Sequence, residues 1–175
     1  LATLIVTFAR ALASGARIEE LMRVTPSVAD GPGAAAVENA PRVEFENVDF
    51  GYSEGRDALT GVSFRAMPGQ MIGVIGGTGS GKSTLVGLIP RLYDVARGCV
   101  RVDGADVKGY RLDSLRARIG VVPQQASLFS GTIRDNLCWG KADATDEEIW
   151  RAVKIAQAED FISAMPGRLD APLEQ

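Results

Sequence analysis

The sequence predicts an α/β fold, and three observations carry that expectation. Val43 and Phe45 alternate with Arg42, Glu44 and Glu46, and Val48 and Phe50 carry the pattern on, as a half-buried strand does. Met71 to Ile75 is a nearly continuous apolar run, the mark of a strand buried on both faces. A helical pattern follows it from Lys82, with Leu85, Val86, Leu88 and Ile89 apolar. Strands mixed with helices imply an α/β core.

The other elements follow in order. Residues 1–23 read as a helix, because Leu1, Leu4, Ile5, Phe8 and Leu12 recur at helical spacing. No basic segment precedes the apolar run, so it does not read as a signal peptide. The apolar part reaches Ala13, short of the roughly 20 residues of a membrane span. The pattern alone fits either an amphipathic helix packed on a core or the end of a longer, membrane-crossing helix. Pro26, Gly31, Pro32, Gly33 and Pro41 punctuate TPSVADGPGAAAVENAP, a linker over 25–41. Leu59, Val62 and Phe64 mark a second strand, and Gly98 to Gly104 a strand ending in an Asp-Gly turn. Asp113 or Ser114 caps a short helix, and Ile119 to Val122 is another buried strand. Thr145 and Glu148 form an S/T-x-x-E capping box that opens a helix from Asp146 to near Ala158.

Composition bounds the function. With 175 residues the chain makes about one domain. Apolar residues at 46% and charged residues at 23% exclude a largely disordered chain. The net charge of −3 argues against nucleic acid as a partner held by bulk basic charge. The histidine count is zero, so no imidazole serves as base or metal ligand. Cys99 and Cys138 alone cannot build a four-ligand zinc site of the Cys/His type. Each lies in an apolar run, as a buried structural cysteine does, and a reducing compartment fits.

The glycine count is 20, and several of these glycines fall in GVIGGTGSGKSTL, residues 73–85. Gly76-x-x-x-x-Gly81-Lys82-Ser83 matches the phosphate-binding pattern G-x-x-x-x-G-K-[ST], between an apolar run and a helix. Glycines let a backbone approach a phosphate closely, and successive N–H groups form an anion nest. Gly76, Gly77, Thr78, Gly79, Ser80 and Gly81 would line it. Lys82 brings a full charge to the β- and γ-phosphates of ATP, and the Ser83 hydroxyl can ligate Mg²⁺. Thr84 can add a phosphate contact from its amide or hydroxyl. The dinucleotide pattern G-x-G-x-x-G fails, because counting from Gly79 its last position is Thr84.

From Val43 to Gln175 the sequence resembles the nucleotide-binding domain of an ABC transporter of the exporter type. The resemblance rests on FGY at 50–52, ALTGVSF at 58–64, PGQMIGVIGGTGSGKSTL at 68–85 and LIPRLYD at 88–94. It continues through GCVRVDGADV at 98–107, LRARIGVVPQQASLFSGTIRDNL at 115–137 and EDFISAMPGRLDAPLEQ at 159–175. It implies a P-loop NTPase core with an N-terminal antiparallel β-lobe, incomplete, and preceded by a helix stub. The implied cofactors are ATP and Mg²⁺. Tyr52 matches the aromatic residue that stacks on adenine, where by itself it would read as a tyrosine at a strand end. Gln124 matches the glutamine that ligates Mg²⁺ and joins the catalytic site to the membrane domain, with neighbouring Gln125 open to the same role. Lys82 and Gln124 are the implied catalytic pair. Leu128 and Phe129, in LFSGTIRDN, either contact the membrane domain or anchor a loop.

The resemblance also divides the chain: 1–24 as the end of the last transmembrane or cytosolic helix, 25–41 as linker, 42–175 as the first part of the nucleotide-binding domain. The family's signature segment, catalytic glutamate and switch histidine do not occur in the 175 residues, so this piece by itself is expected to hydrolyse ATP negligibly. Implied partners are a second nucleotide-binding domain, as homo- or heterodimer, and the membrane domain through the segment around Gln124. The implied location is the cell membrane, with this domain on the cytoplasmic side. A soluble ABC-type or other P-loop nucleotide-binding regulator with no transport role and a non-transporting P-loop kinase are the competing readings.

Overall fold

Residues 43–50 form β1 (Val43–Phe50), the strand around which the first part of the chain is built. This computed structural model describes residues 2–37, 39–52, 57–125 and 127–173. Leu1 of the expected helix, Glu38 of the expected linker, Ala126, and Glu174 and Gln175 at the end of the resembling stretch lie outside the described residues. The chain divides into two compact units, Leu1–Ile119 and Gly120–Gln175.

In the first unit β1 pairs antiparallel with β2 (Leu59–Ala66) on one side and β3 (Arg97–Val102) on the other. A two-residue β4 (Ala105–Asp106) closes the order β2-β1-β3-β4. The expected antiparallel lobe is therefore present. Phe45 faces Phe64 and Val100, with the two phenyl rings stacked at 4.7 Å. The alternation in β1 slips between Phe45 and Val48, where the register shifts. That bulge explains why Phe45, Val48 and Phe50 are all buried although they do not share one parity. The turn from β3 to β4 is Asp103-Gly104, both at positive φ (48° and 81°), the signature of a tight primed hairpin. Asp103 is buried and paired with Arg42 at 2.7 Å.

α2 (Lys82–Leu88) lays Leu85 and Leu88 into the core formed by the sheet, together with Val107, Tyr110 and Leu115. Fully buried Tyr110 donates its hydroxyl to the Val102 carbonyl at 2.8 Å, so its polar tip is satisfied. α3 (Leu112–Arg116) opens after Arg111, so neither Asp113 nor Ser114 caps it. The Leu112 N–H instead donates to Asp30, 82 residues away, at 2.7 Å. Around that contact the Gly31, Gly33 and Ala34 N–H groups donate to the carbonyls of Tyr110 and Gly109, and Val37 N–H to that of Asp103. The stretch expected as linker is thus strapped to the lobe from Asp30 to Val37. α1 (Ala2–Met22) buries none of its described side chains. Of the apolar positions that predict the helix, Phe8 and Leu12 are exposed. Among the described residues no helix is long and apolar enough to cross a membrane.

Two expected strands are absent. Met71–Ile75 and Ile119–Val122 carry no sheet hydrogen bonding, and Met71, Ile75 and Val122 are almost fully exposed. An apolar run becomes a buried strand only when neighbouring strands pair with it and layers cover it. No described strand pairs with either segment.

In the second unit, α4 (Ile133–Leu137), α5 (Asp146–Ile155) and α6 (Glu159–Ala164) enclose a core of Ile133, Ile149, Val153, Ile162 and Leu169. β5 (Gly131–Thr132) and β6 (Pro172–Leu173) pair beside them. The expected capping box forms: the Thr145 hydroxyl accepts from the Glu148 N–H, and the Glu148 carboxylate accepts from the Thr145 N–H. The same device, unforeseen, opens α4 with Thr132 and Asp135. Cys99 and Cys138 are half-buried rather than buried. Burial, with the Asp106 carboxylate 3.2 Å away, pushes the Cys99 thiol up to about 11, which suits an inert structural residue.

Candidate functional site

The glycine loop turns sharply because its backbone must. Gly79 and Gly81 lie at φ 81° and 85°. A Cβ on Gly81 would meet the Ala58 carbonyl oxygen at 2.7 Å and Leu59 Cδ2 at 2.8 Å, so the loop threads against the start of β2 where only hydrogen fits. α2 begins directly after it.

Lys82 folds back over the loop. Its Nζ donates to the Gly76 and Gly77 carbonyls at 2.7 and 2.6 Å and approaches Ser80 Oγ at 3.4 Å. The ammonium therefore sits inside the loop, held by neutral acceptors that an anion can replace. A cleft of about 510 Å³ opens beside it, lined by Tyr52, Asp57, Ala58 and Gly79 to Thr84. Gly76, Gly77 and Thr78 do not line the cleft. The structure thus brings Tyr52, named from sequence, to the phosphate-binding motif named from sequence.

The far wall is aromatic. Tyr52 is 60% exposed, yet its hydroxyl bonds Thr84 Oγ1 at 2.8 Å. Its ring meets Phe50 at 5.0 Å and Tyr93 at 5.2 Å, both edge-on. Thr84 is buried, and its hydroxyl is engaged with Tyr52. Asp57 lines the cleft and Tyr93 stands behind its tyrosine, and neither belongs to a site motif of the sequence. Tyr93 was visible only as the tyrosine of LIPRLYD, and nothing local marks Asp57. Tyr93 is held by what flanks it. Arg91, buried at φ 53°, forks its guanidinium onto Asp94 at 2.7 and 3.1 Å and reaches the Lys108 carbonyl. That hydrogen bond holds the Asp94 carboxyl below its ordinary range.

Chemically, the cleft offers an ammonium, hydroxyls and an exposed aromatic ring: donors for a phosphate chain and a surface for a base. Ser83 supplies a hard oxygen suited to Mg²⁺, which usually completes its shell with waters and substrate phosphates. Among the described residues no group of His, Cys, Asp and Glu is arranged to hold a metal. Gln124 and Gln125 lie exposed in a bend of the second unit. Phe129, also there, is not a buried anchor: it stacks at 4.2 Å on Trp139, and both rings are exposed.

A glycine loop opening a helix, faced by an aromatic ring, is the layout of an α/β protein that takes a phosphate-bearing ligand. The profile of the ABC transporter family matches residues 59–169, and the chain belongs to that family. It is 43% identical over 157 residues to a "Multidrug efflux ATP-binding/permease protein" of Mycobacterium bovis, covering 90% of this chain and 13% of that protein. It is 43% identical over 148 residues to human "ATP-binding cassette sub-family B member 6", covering 84% of this chain and 18% of that one. Its structure resembles that of a bacterial Atm1-family ABC exporter with ATP bound, with a TM-score of 0.86 and 38% identity over 97% of this chain and 30% of that one. The chain thus spans less than a third of each of these proteins.

Proposed function

We propose that the chain is the ATP-binding portion of the nucleotide-binding domain of an ABC exporter, and that the intact protein couples ATP hydrolysis to transmembrane export. The single observation that carries this reading is the cleft joining Tyr52 to Gly79–Thr84. Adenine stacks on Tyr52, the triphosphate lies along the loop, and Lys82 leaves the Gly76 and Gly77 carbonyls for the β- and γ-phosphates. Ser83 and Gln124 are the residues that would offer oxygen ligands to Mg²⁺, and the ion would supply charge neutralisation for phosphoryl transfer. Lys82 and Gln124 act in catalysis. Residues 1–24 continue a membrane-domain helix, 25–41 connect it, and 42–175 belong to the nucleotide-binding domain. A second nucleotide-binding domain, in a homo- or heterodimer, is the partner. The exposed Phe129–Trp139 pair suits contact with the membrane domain near Gln124, and the domain lies on the cytoplasmic side of the cell membrane.

Lys82→Ala tests the site. It removes the one full positive charge in the loop, and hydrogen bonds to charged groups are worth about 1.5–3 kcal/mol. Titration with a fluorescent ATP analogue is expected to show affinity at least about tenfold weaker. Unchanged affinity would sink the assignment.

A further inference from the structure

Tyr52 is exposed, so burial does not fix its ring, and nevertheless three contacts do. Its hydroxyl bonds Thr84 Oγ1 at 2.8 Å. The Phe50 ring meets it at 85° and the Tyr93 ring at 87°. Phe50 is its neighbour in the strand-end segment, but Thr84 and Tyr93 come from elsewhere. Thr84 lies in α2, directly after Lys82 and Ser83. Tyr93 follows the end of the same helix, between Arg91 and Asp94, whose ion pair of 2.7 Å pins that turn. Phe50 and Tyr93 also touch at 5.5 Å, closing a three-ring cluster.

We propose that Thr84 and Tyr93 are positioning residues: they fix the Tyr52 ring at a set distance from the phosphate loop, and so decide how much a base adds to the binding of a triphosphate. This inference rests on the nucleotide-site reading and goes past it. One short helix carries the phosphate-binding side chains and one clasp of the base platform, and its following turn carries the other. A free ring would lose its mobility when a base stacked on it, and that ordering cost would come out of the affinity. A ring already held by a hydroxyl and an aromatic edge has lost it beforehand. The buried Thr84 hydroxyl is therefore assigned to Tyr52 and not to the phosphates.

The test compares two probes by calorimetry on the intact protein, Mg-ATP and Mg-tripolyphosphate, and reads the ratio of their dissociation constants. Thr84→Val keeps the side-chain shape and removes the hydroxyl. It is expected to weaken ATP about three- to tenfold, while tripolyphosphate stays within about twofold. Thr84→Ser is expected to restore the ratio. Tyr52→Phe, which keeps the stacking ring, is expected to match Thr84→Val, and the double variant to be no worse than either. Tyr93→Leu is expected to raise the ratio of the ATP to the tripolyphosphate dissociation constant about three- to tenfold, with Tyr93→Phe near the original. A variant that merely destabilises the fold shifts its melting and leaves the ratio alone, which overturns the proposal. Parallel loss of both probes in Thr84→Val, or additive losses in the double variant, also overturns it and leaves the nucleotide site standing. If the unmodified protein binds neither probe, the nucleotide-site reading falls and takes this proposal with it.

Discussion

Gly81 and Gly77 sit four residues apart in one loop and answer to different constraints. Gly81 is at φ 85° with the Ala58 carbonyl 2.7 Å from where a Cβ would stand. Gly77 has nothing within 4 Å of that point and no positive φ. Left-handed backbone costs an ordinary residue about 1–2 kcal/mol, before any clash. Gly81→Ala is therefore expected to lower unfolding free energy by about 2 kcal/mol or more in urea titration, and Gly77→Ala by no more than about 0.5 kcal/mol. Equal losses at both positions would contradict the geometry. The motif around these glycines was legible because its spacing is local: Lys82, Ser83 and the loop are neighbours in sequence. Tyr52 was legible only by resemblance. Tyr93 and the Asp30 contact with α3 were not legible, because each acts on a partner about 40 or 82 residues distant in the chain, and nothing nearby signals the pairing.

At the scale of elements, local rules held where the partner is also local. The Thr145–Glu148 box was readable because all its atoms lie within one turn. The β1 bulge was half readable: the apolar positions were seen, but the slip between Phe45 and Val48 becomes visible only once β2 sets the register. The strands expected at Met71–Ile75 and Ile119–Val122 failed because strand formation is decided by neighbours and not by the run itself. The capping box also fixes a pH response. The Lys141 ammonium, 2.6 Å away, and the Thr145 N–H hold the Glu148 carboxyl below its usual value. A depressed carboxylate contributes stability above the unfolded value of about 4.3, and that contribution disappears as pH falls through the folded one. Its partner Lys141 is raised by Glu148, so its contribution persists until pH climbs past about 10.4. Glu148→Gln is accordingly expected to melt earlier than the original by a constant margin between about pH 5 and 9, shrinking toward zero below about pH 4. A margin that persists at pH 3 in thermal melts followed by circular dichroism would mean that the charge is not its source.

The whole molecule carries an imbalance that no single element reveals. Its first unit has a well-filled core under the antiparallel sheet, with Phe45, Val48, Leu88, Val100, Tyr110 and Leu115 almost wholly buried. The same unit leaves Met71 96% and Ile75 99% exposed, and the second unit leaves Val122 97% exposed. Single exposed apolar side chains are ordinary, but runs of them mark surfaces that bind something or aggregate. Met71, Ile72, Val74 and Ile75 make such a run, and Val121 and Val122 extend the pattern in the second unit. The net charge of −3 gives little repulsion to oppose self-association. The 175-residue chain on its own is thus expected to enhance the fluorescence of a hydrophobic dye at neutral pH, and its apparent mass in light scattering is expected to grow with concentration. Replacing Met71, Ile75 and Val122 by Glu is expected to reduce both signals by about half or more, since the substitutions touch none of the buried core. They leave the backbone hydrogen bonding of β1, β2 and β3 untouched, so the far-ultraviolet spectrum is expected to stay the same. A chain that is monomeric and dye-silent before substitution would show that these segments are covered in solution, and the exposure argued for them would be wrong.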